Sequence, residues 1–144
     1  MVVHDYTFRA ATPVWEVGTA KAPNHAVSFV ADIPATDKTV TVSAAASCAF
    51  VLIVNGTYIA HGPARCCHGF FRVDEYDISK YLTKEINRVA FRVASYNCYS
   101  YSYLKQPGFL CAEIIADGNI LAATGQDGFI AYPVTERVNK VQEY

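Results

Sequence analysis

Apolar and polar positions alternate along most of this chain with the period of two that a half-buried β-strand requires. Asn87–Tyr96 shows it most cleanly, with Val89, Phe91 and Val93 on one face and Arg88, Ala90, Arg92 and Ala94 on the other. His25–Ile33 sets Val27, Phe29 and Ala31 against Ala26, Ser28 and Val30. Lys38–Ala46 sets Val40 and Val42 against Thr39, Thr41 and Ser43, which predicts an antiparallel strand with one solvated face. Two apolar runs, Phe50–Val54 and Thr57–Ala60, are separated only by Asn55-Gly56. A two-residue loop favours a type I′ turn with φ > 0 at both central residues, which Asn and Gly tolerate best, so a hairpin is expected here. Gly62-Pro63 ends its second arm, because proline brings no N–H to a ladder.

Phe70–Tyr76 reads as another strand, followed by a short helical turn near 78–82. Asp77 opens that turn by accepting N–H bonds from Ser79 or Lys80, and Ile78, Tyr81 and Leu82 pin it to the sheets. Phe109–Ala116 and Asn119–Ala123 flank Asp117-Gly118, a second hairpin signal, and Phe129–Tyr132 adds a last strand. Short strands with turns every 8–12 residues or so, and no helix of three turns, predict an all-β fold, a two-sheet antiparallel β-sandwich. Residues 1–24 read as an irregular lead-in whose Trp15 docks on the body, 25–133 as the sandwich domain, and 134–144 as a tail heading toward a further domain.

Composition narrows the class. Of 144 residues, 52% are hydrophobic and 17% charged, enough for a single core without disulfides. The net charge of −1, with no basic run, offers no footprint for nucleic acid or an anionic membrane surface. No apolar run approaches the ~20 residues of a spanning helix, and Met1–Ala10 lacks the apolar stretch of a signal peptide. The five cysteines, Cys48, Cys66, Cys67, Cys98 and Cys111, are an odd count, and the adjacent pair is poorly placed to bridge. Reduced thiols in a cytoplasmic setting are therefore expected, unless a leader has been removed.

Several short motifs occur in a telling order: Val54-Asn55-Gly56, then Gly62–Arg65, then Tyr76–Ser79, Tyr81-Leu82 and Asn87–Ala90. Together with Gln106–Leu110 and the ending Arg137–Tyr144, this order resembles the N-terminal β-sandwich domain of bacterial α-L-rhamnosidase-like glycoside hydrolases, over roughly residues 25–144. A broader resemblance runs to the jelly-roll, galactose-binding-like modules of other glycosidases. The chain departs from the rhamnosidase pattern at Glu85, where a glycine is usual, and at Ser47-Cys48-Ala49, where an acidic residue and a tyrosine are. The family's helical-barrel catalytic domain has no counterpart in these residues. The resemblance implies a non-catalytic accessory module that supports a catalytic domain or assists carbohydrate binding, with the downstream catalytic and β domains of a parent chain as its partners.

The residues themselves promise little chemistry. Glycoside cleavage normally needs two carboxyl groups flanking the bond. The densest acidic cluster is Asp74, Glu75 and Asp77, and on a strand Asp74 and Glu75 face opposite ways, so no catalytic residue is assigned. His61, Cys66, Cys67 and His68 match no common zinc spacing, and a Cys/His nucleophile pair there lacks an orienting group, so no metal or cofactor is expected. A small thiol- or metal-dependent enzyme is the weakest of three classes, after the accessory module and a free-standing lectin-like carbohydrate-binding domain. Arg65 either braces its loop or binds a carboxylate or sugar.

The most suggestive stretch is Tyr96–Tyr103, with four tyrosines in eight residues. On an extended segment Tyr99, Tyr101 and Tyr103 would share one face. Tyrosine rings stack on sugar C–H surfaces, and Asn97, Arg65 and His68 would have to reach the same spot for a carbohydrate site. Tyrosine is equally enriched at interfaces. An interface toward the rest of a larger enzyme is the preferred alternative, which predicts self-association of the isolated chain and no measurable monosaccharide binding.

Overall fold

A computed structural model describes residues 5–67 and 69–136. Among the described residues nine strands form two antiparallel sheets: β1 (His25–Pro34), β2 (Val40–Ala46), β3 (Ala49–Val54), β4 (Thr57–Gly62), β5 (Asp74–Asp77), β6 (Ile86–Ser95), β7 (Leu110–Ala116), β8 (Asn119–Ala123) and β9 (Phe129–Pro133). One sheet has the order β4-β3-β6-β1-β9 and the other β5-β2-β7-β8. The inner faces pair as the alternation requires. Val27, Phe29, Ala31 and Ile33 of β1, Phe50, Leu52 and Val54 of β3, and Val89, Phe91 and Val93 of β6 are all buried. They meet Val40, Val42, Ala44 and Ala46 of β2 and Leu110, Ala112, Ile114 and Ala116 of β7. Phe50 and Phe91 touch edge to face at 5.3 Å in the middle of that β-sandwich core.

Both hairpin turns have the backbone their residues were chosen for, with φ of 51° and 82° at Asn55-Gly56 and 47° and 80° at Asp117-Gly118. Asn55 does more than turn the chain. Its side-chain amide donates to the Tyr81 carbonyl at 3.0 Å and to Asn87 Oδ1 at 2.8 Å, while its Oδ1 accepts the Arg88 N–H. The buried Asn87 side chain in turn holds both backbone groups of Lys84. That relay closes the turn before β6, and Glu85 is not among the residues of positive φ. A single 3₁₀ turn, Ser79–Tyr81, follows Asp77, whose Oδ1 accepts the Ser79 N–H at 2.9 Å. The Ser79 hydroxyl, which donates to the same oxygen, and then that N–H hold the Asp77 carboxyl below the usual carboxylate range. Ile78 is buried, with Tyr81 and Leu82 packed on the core beside it.

Two expectations need correction. Phe70–Tyr76 is not one strand, because only Asp74–Asp77 pairs with β2. The Phe70 N–H instead donates to the Cys67 carbonyl, and Phe71 packs edge-on against Phe109 at 4.8 Å, so 70–73 leaves the ladder. The outer face of β2 is also not solvated, since Ser43 and Ala45 are buried along with their β7 partners Glu113 and Cys111. The lead-in covers it. Val14 bridges Leu110 in an antiparallel pair, Thr12 exchanges bonds with Thr124, and Arg9, Ala10 and Ala11 all donate their backbone N–H groups to the Glu113 carboxylate.

Burial of this kind makes the fold sensitive to alkali. Desolvation pushes the Cys111 thiol from its ordinary 9.0 up to about 11. Burial, followed by the Asp74 carboxylate, pushes the Tyr76 phenol from 10.0 up to about 12. In each case the unfolded chain ionises first, so the stabilisation is complete below the unfolded value and is lost as pH rises through the folded one. Urea midpoints are expected to fall progressively between about pH 9 and 12. Cys111→Ala should reduce the lower part of that slope, from about 9 to 11, with the buried Cys48 thiol supplying part of what remains, and a variant slope identical to the parent's would refute the assignment.

Candidate functional site

A groove of about 1310 Å³ opens at one end of the sandwich, walled by residues 62–67 and 69–76 and by Tyr96, Ser102, Tyr103, Leu104 and Gln106, and floored by residues 46–51. Gly62 sets its depth. A Cβ there would collide with Asp74 Oδ2 and lie 2.9 Å from the Phe50 ring, so only glycine lets β4 end against β5. Beside it, Asp74 is gripped by Arg72 Nε at 2.8 Å and accepts the Tyr76 hydroxyl at 3.4 Å. Glu75, on the other side of β5, accepts the Ser43 hydroxyl at 3.2 Å. The two acids therefore have separate partners, and their geometry is that of braced charges on a strand.

On the opposite wall, Tyr103 packs against Tyr96 with ring centroids 4.8 Å apart, and the Arg65 guanidinium lies 5.9 Å from the Tyr103 centroid. The groove thus brings together Arg65, Tyr96 and Tyr103 of the sequence-predicted set. Burial raises the Tyr103 phenol above its ordinary value, with the Tyr96 phenol adding to the shift.

The rest of the set lies elsewhere. Asn97 is buried, with φ of 44°, and its amide donates to the Lys21 carbonyl, so it anchors the lead-in and does not line the groove. Tyr99, Tyr101 and Tyr103 do not share a face, because the segment is not extended. The Ser100 hydroxyl accepts the N–H groups of Ser102 and Tyr103, and the Ser100 N–H donates to the Tyr103 carbonyl. This closed turn leaves Tyr99 70% exposed and Tyr101 fully so, outside the groove lining. His68 falls outside the described residues. Pro63 lines the groove at the mouth of its loop.

Sequence reasoning missed Gln106, whose amide donates to the Ser47 carbonyl at 2.5 Å and ties the tyrosine loop to the groove floor. It also missed Arg92, held at the rim by Glu136 at 3.4 Å. Cys48 at the floor accepts the Tyr96 N–H, and burial pushes its thiol up, which makes it an unreactive packing group. Cys66 and Cys67 are exposed free thiols. Among the described residues, no three His, Cys, Asp or Glu side chains are placed to hold a metal ion, and no helix is long and apolar enough to cross a membrane.

No protein-family model matches the chain, and no curated protein sequence does. Solved structures do. The chain is similar to the GH78 family rhamnosidase of Bacillus sp. GL1, at 29% identity and a TM-score of 0.77, over 90% of this chain and 14% of that one. The same fold recurs in the Streptomyces avermitilis α-L-rhamnosidase complexed with L-rhamnose (13% identity, TM-score 0.57, covering 85% and 11%). It recurs again in the α-L-rhamnosidase from Dictyoglumus thermophilum (17%, 0.60, covering 76% and 13%). The chain therefore spans about a seventh or less of each of these enzymes, and its fold is that of one β-sandwich portion of them.

Proposed function

We propose that this chain is a non-catalytic accessory β-sandwich module of an α-L-rhamnosidase-like glycoside hydrolase, one that supports the catalytic domain or assists carbohydrate binding. The observation that carries this is the match over 90% of the chain, at 29% identity, to a small part of a GH78 rhamnosidase. Residues 1–24 act as a strap for the body at 25–133, and 134–144 lead toward the next domain. The exposed Tyr99 and Tyr101 form the rim that docks on a neighbouring domain and make the isolated chain self-associate. A free-standing lectin-like domain is favoured only by the groove, which would serve either protein.

The separate engagements of Asp74 and Glu75, the two acids among the described residues that line the groove, support the absence of hydrolysis, since each carboxyl is committed to its own partner. Purified protein is expected to release no phenol from an aryl α-L-rhamnoside above the buffer rate. Turnover that disappears in Asp74→Asn or Glu75→Gln would overturn the proposal. Reading the coding sequence past Tyr144 tests the parent directly: a following glycoside hydrolase domain is expected, and a stop codon there would favour the free-standing alternative.

A further inference from the structure

Three arginines and His61 line the groove, and all but Arg65 are already engaged. His61 Nδ1 lies 2.7 Å from the Tyr58 hydroxyl, Arg72 holds Asp74, and Arg92 reaches Glu136. Of the three arginines, Arg65 alone has no carboxylate partner among the described residues. Its guanidinium lies over the Tyr103 ring, an arrangement that orients the planar fork while leaving its N–H edge available. A guanidinium held this way matches the two oxygens of a carboxylate, with two parallel N–H···O bonds. The Tyr96–Tyr103 pair beside it offers an aromatic wall of the kind on which sugar C–H faces pack. A neutral sugar would leave the cation unanswered, and a simple carboxylate would leave the wall unused.

We propose that the groove binds a carboxylated sugar of the uronic acid class, its carboxylate gripped by Arg65 and its ring laid against Tyr96 and Tyr103. The inference rests on the carbohydrate-assisting part of the proposed function, names the ligand class, and replaces for acidic sugars the expectation of no measurable monosaccharide binding, because Arg65 and the Tyr96–Tyr103 pair converge in the groove. The occupant is a free acid sugar or one residue of an acidic glycan chain.

Titration of the purified protein with D-galacturonate, D-galactose and acetate, followed by NMR, tests it. Galacturonate is expected to give saturable shifts on Tyr96 and Tyr103 signals, with affinity at least about five-fold above galactose, as one well-formed charge pair near the surface allows. Added salt should weaken that binding. Arg65→Met should bring galacturonate down to the level of galactose, and Arg65→Lys should retain only part of the difference because a point charge cannot form the fork. Unchanged emission of Trp15 would show that both variants are folded. An oligogalacturonide that binds tighter than the monomer with the same Arg65 dependence identifies a glycan chain as the occupant, and equal affinity identifies a single acid sugar.

Equal binding of galacturonate and galactose, acetate competing as well as galacturonate, affinity undiminished in Arg65→Met, or no binding of any sugar would each overturn the inference. Absence of all sugar binding would also remove the carbohydrate-assisting part of the proposed function, whereas the accessory-module reading itself is tested independently by the aryl rhamnoside assay and the coding sequence.

Discussion

Glu113→Ala is expected to destabilise the chain by about 3 kcal/mol or more, the range for breaking a buried, hydrogen-bonded charge. Glu113 is fully buried although it sits on the outward face of β7. Its carboxylate accepts the backbone N–H groups of Arg9 (3.0 Å), Ala10 (3.1 Å) and Ala11 (3.3 Å), and the Tyr6 hydroxyl approaches at 3.4 Å. Truncation removes the only side chain that receives those three amides, so the strap either keeps unsatisfied donors or lifts to meet water. If it lifts, Ser43, Ala45 and Cys111 are uncovered with it. Glu113→Gln keeps the shape but turns one acceptor into a donor facing amides, and about 2 kcal/mol is expected. Urea unfolding at neutral pH measures both. A Gln variant within about 0.5 kcal/mol of the parent, the spread of an ordinary surface substitution, would show that the strap is not held by this carboxylate.

Nothing around position 113 announces this role. Within Phe109–Ala116 the glutamate merely interrupts an apolar run, and strand parity assigns it to the outer face as an ordinary solvated charge. Its partners lie more than 100 residues away in sequence, and alternation tells which face a residue is on without telling what covers that face. The supposed solvated face of β2 fails for the same reason, since the lead-in is irregular and has no period to read. What local chemistry decides was legible. Asn55-Gly56 and Asp117-Gly118 turn as their residues demand, Asp77 caps the turn that follows it, and the inner-face residues of β1, β3 and β6 are those of the alternation.

The candidate site was legible only in part, and the divide is again local against non-local. Arg65, Tyr96 and Tyr103 converge because two loops meet at one end of the sandwich, which the residue types alone hinted at. Tyr99 and Tyr101 diverge because Ser100 folds its own turn, a side-chain-to-backbone competition that period-two counting ignores. Asn97 looked like a sugar ligand, but its positive φ and its bond to Lys21 commit it to the backbone. Polar residues in loops carry both kinds of role, and spacing does not separate them.

Gly108→Ala is expected to displace Trp15 and lower stability by about 2–3 kcal/mol, as overpacking of a well-filled site does. A Cβ on Gly108 would stand 2.5 Å from Trp15 Cε2, 2.8 Å from Cζ2 and 2.9 Å from Cδ2, so the indole plane rests directly on this glycine. The ring also packs 5.9 Å from Phe29 and 6.2 Å from His25, centroid to centroid, closing the sandwich edge where the lead-in arrives. The Gly108 N–H donates to the Ala20 carbonyl, a bond that alanine preserves, so the effect isolates the steric clash. Trp15→Ala should cost about 3 kcal/mol, toward the lower end for a large aromatic because the ring is only partly buried. Trp15 is the only tryptophan in the chain, so its emission reports this contact alone. In Gly108→Ala the emission should move to longer wavelength while the far-ultraviolet β signal stays unchanged. The two substitutions should not add, because once the indole is gone the new methyl has nothing to strike. In the Trp15→Ala background, Gly108→Ala is therefore expected to cost less than about 0.5 kcal/mol. A fully additive double variant would mean that Gly108 matters for its backbone and not for the ring above it.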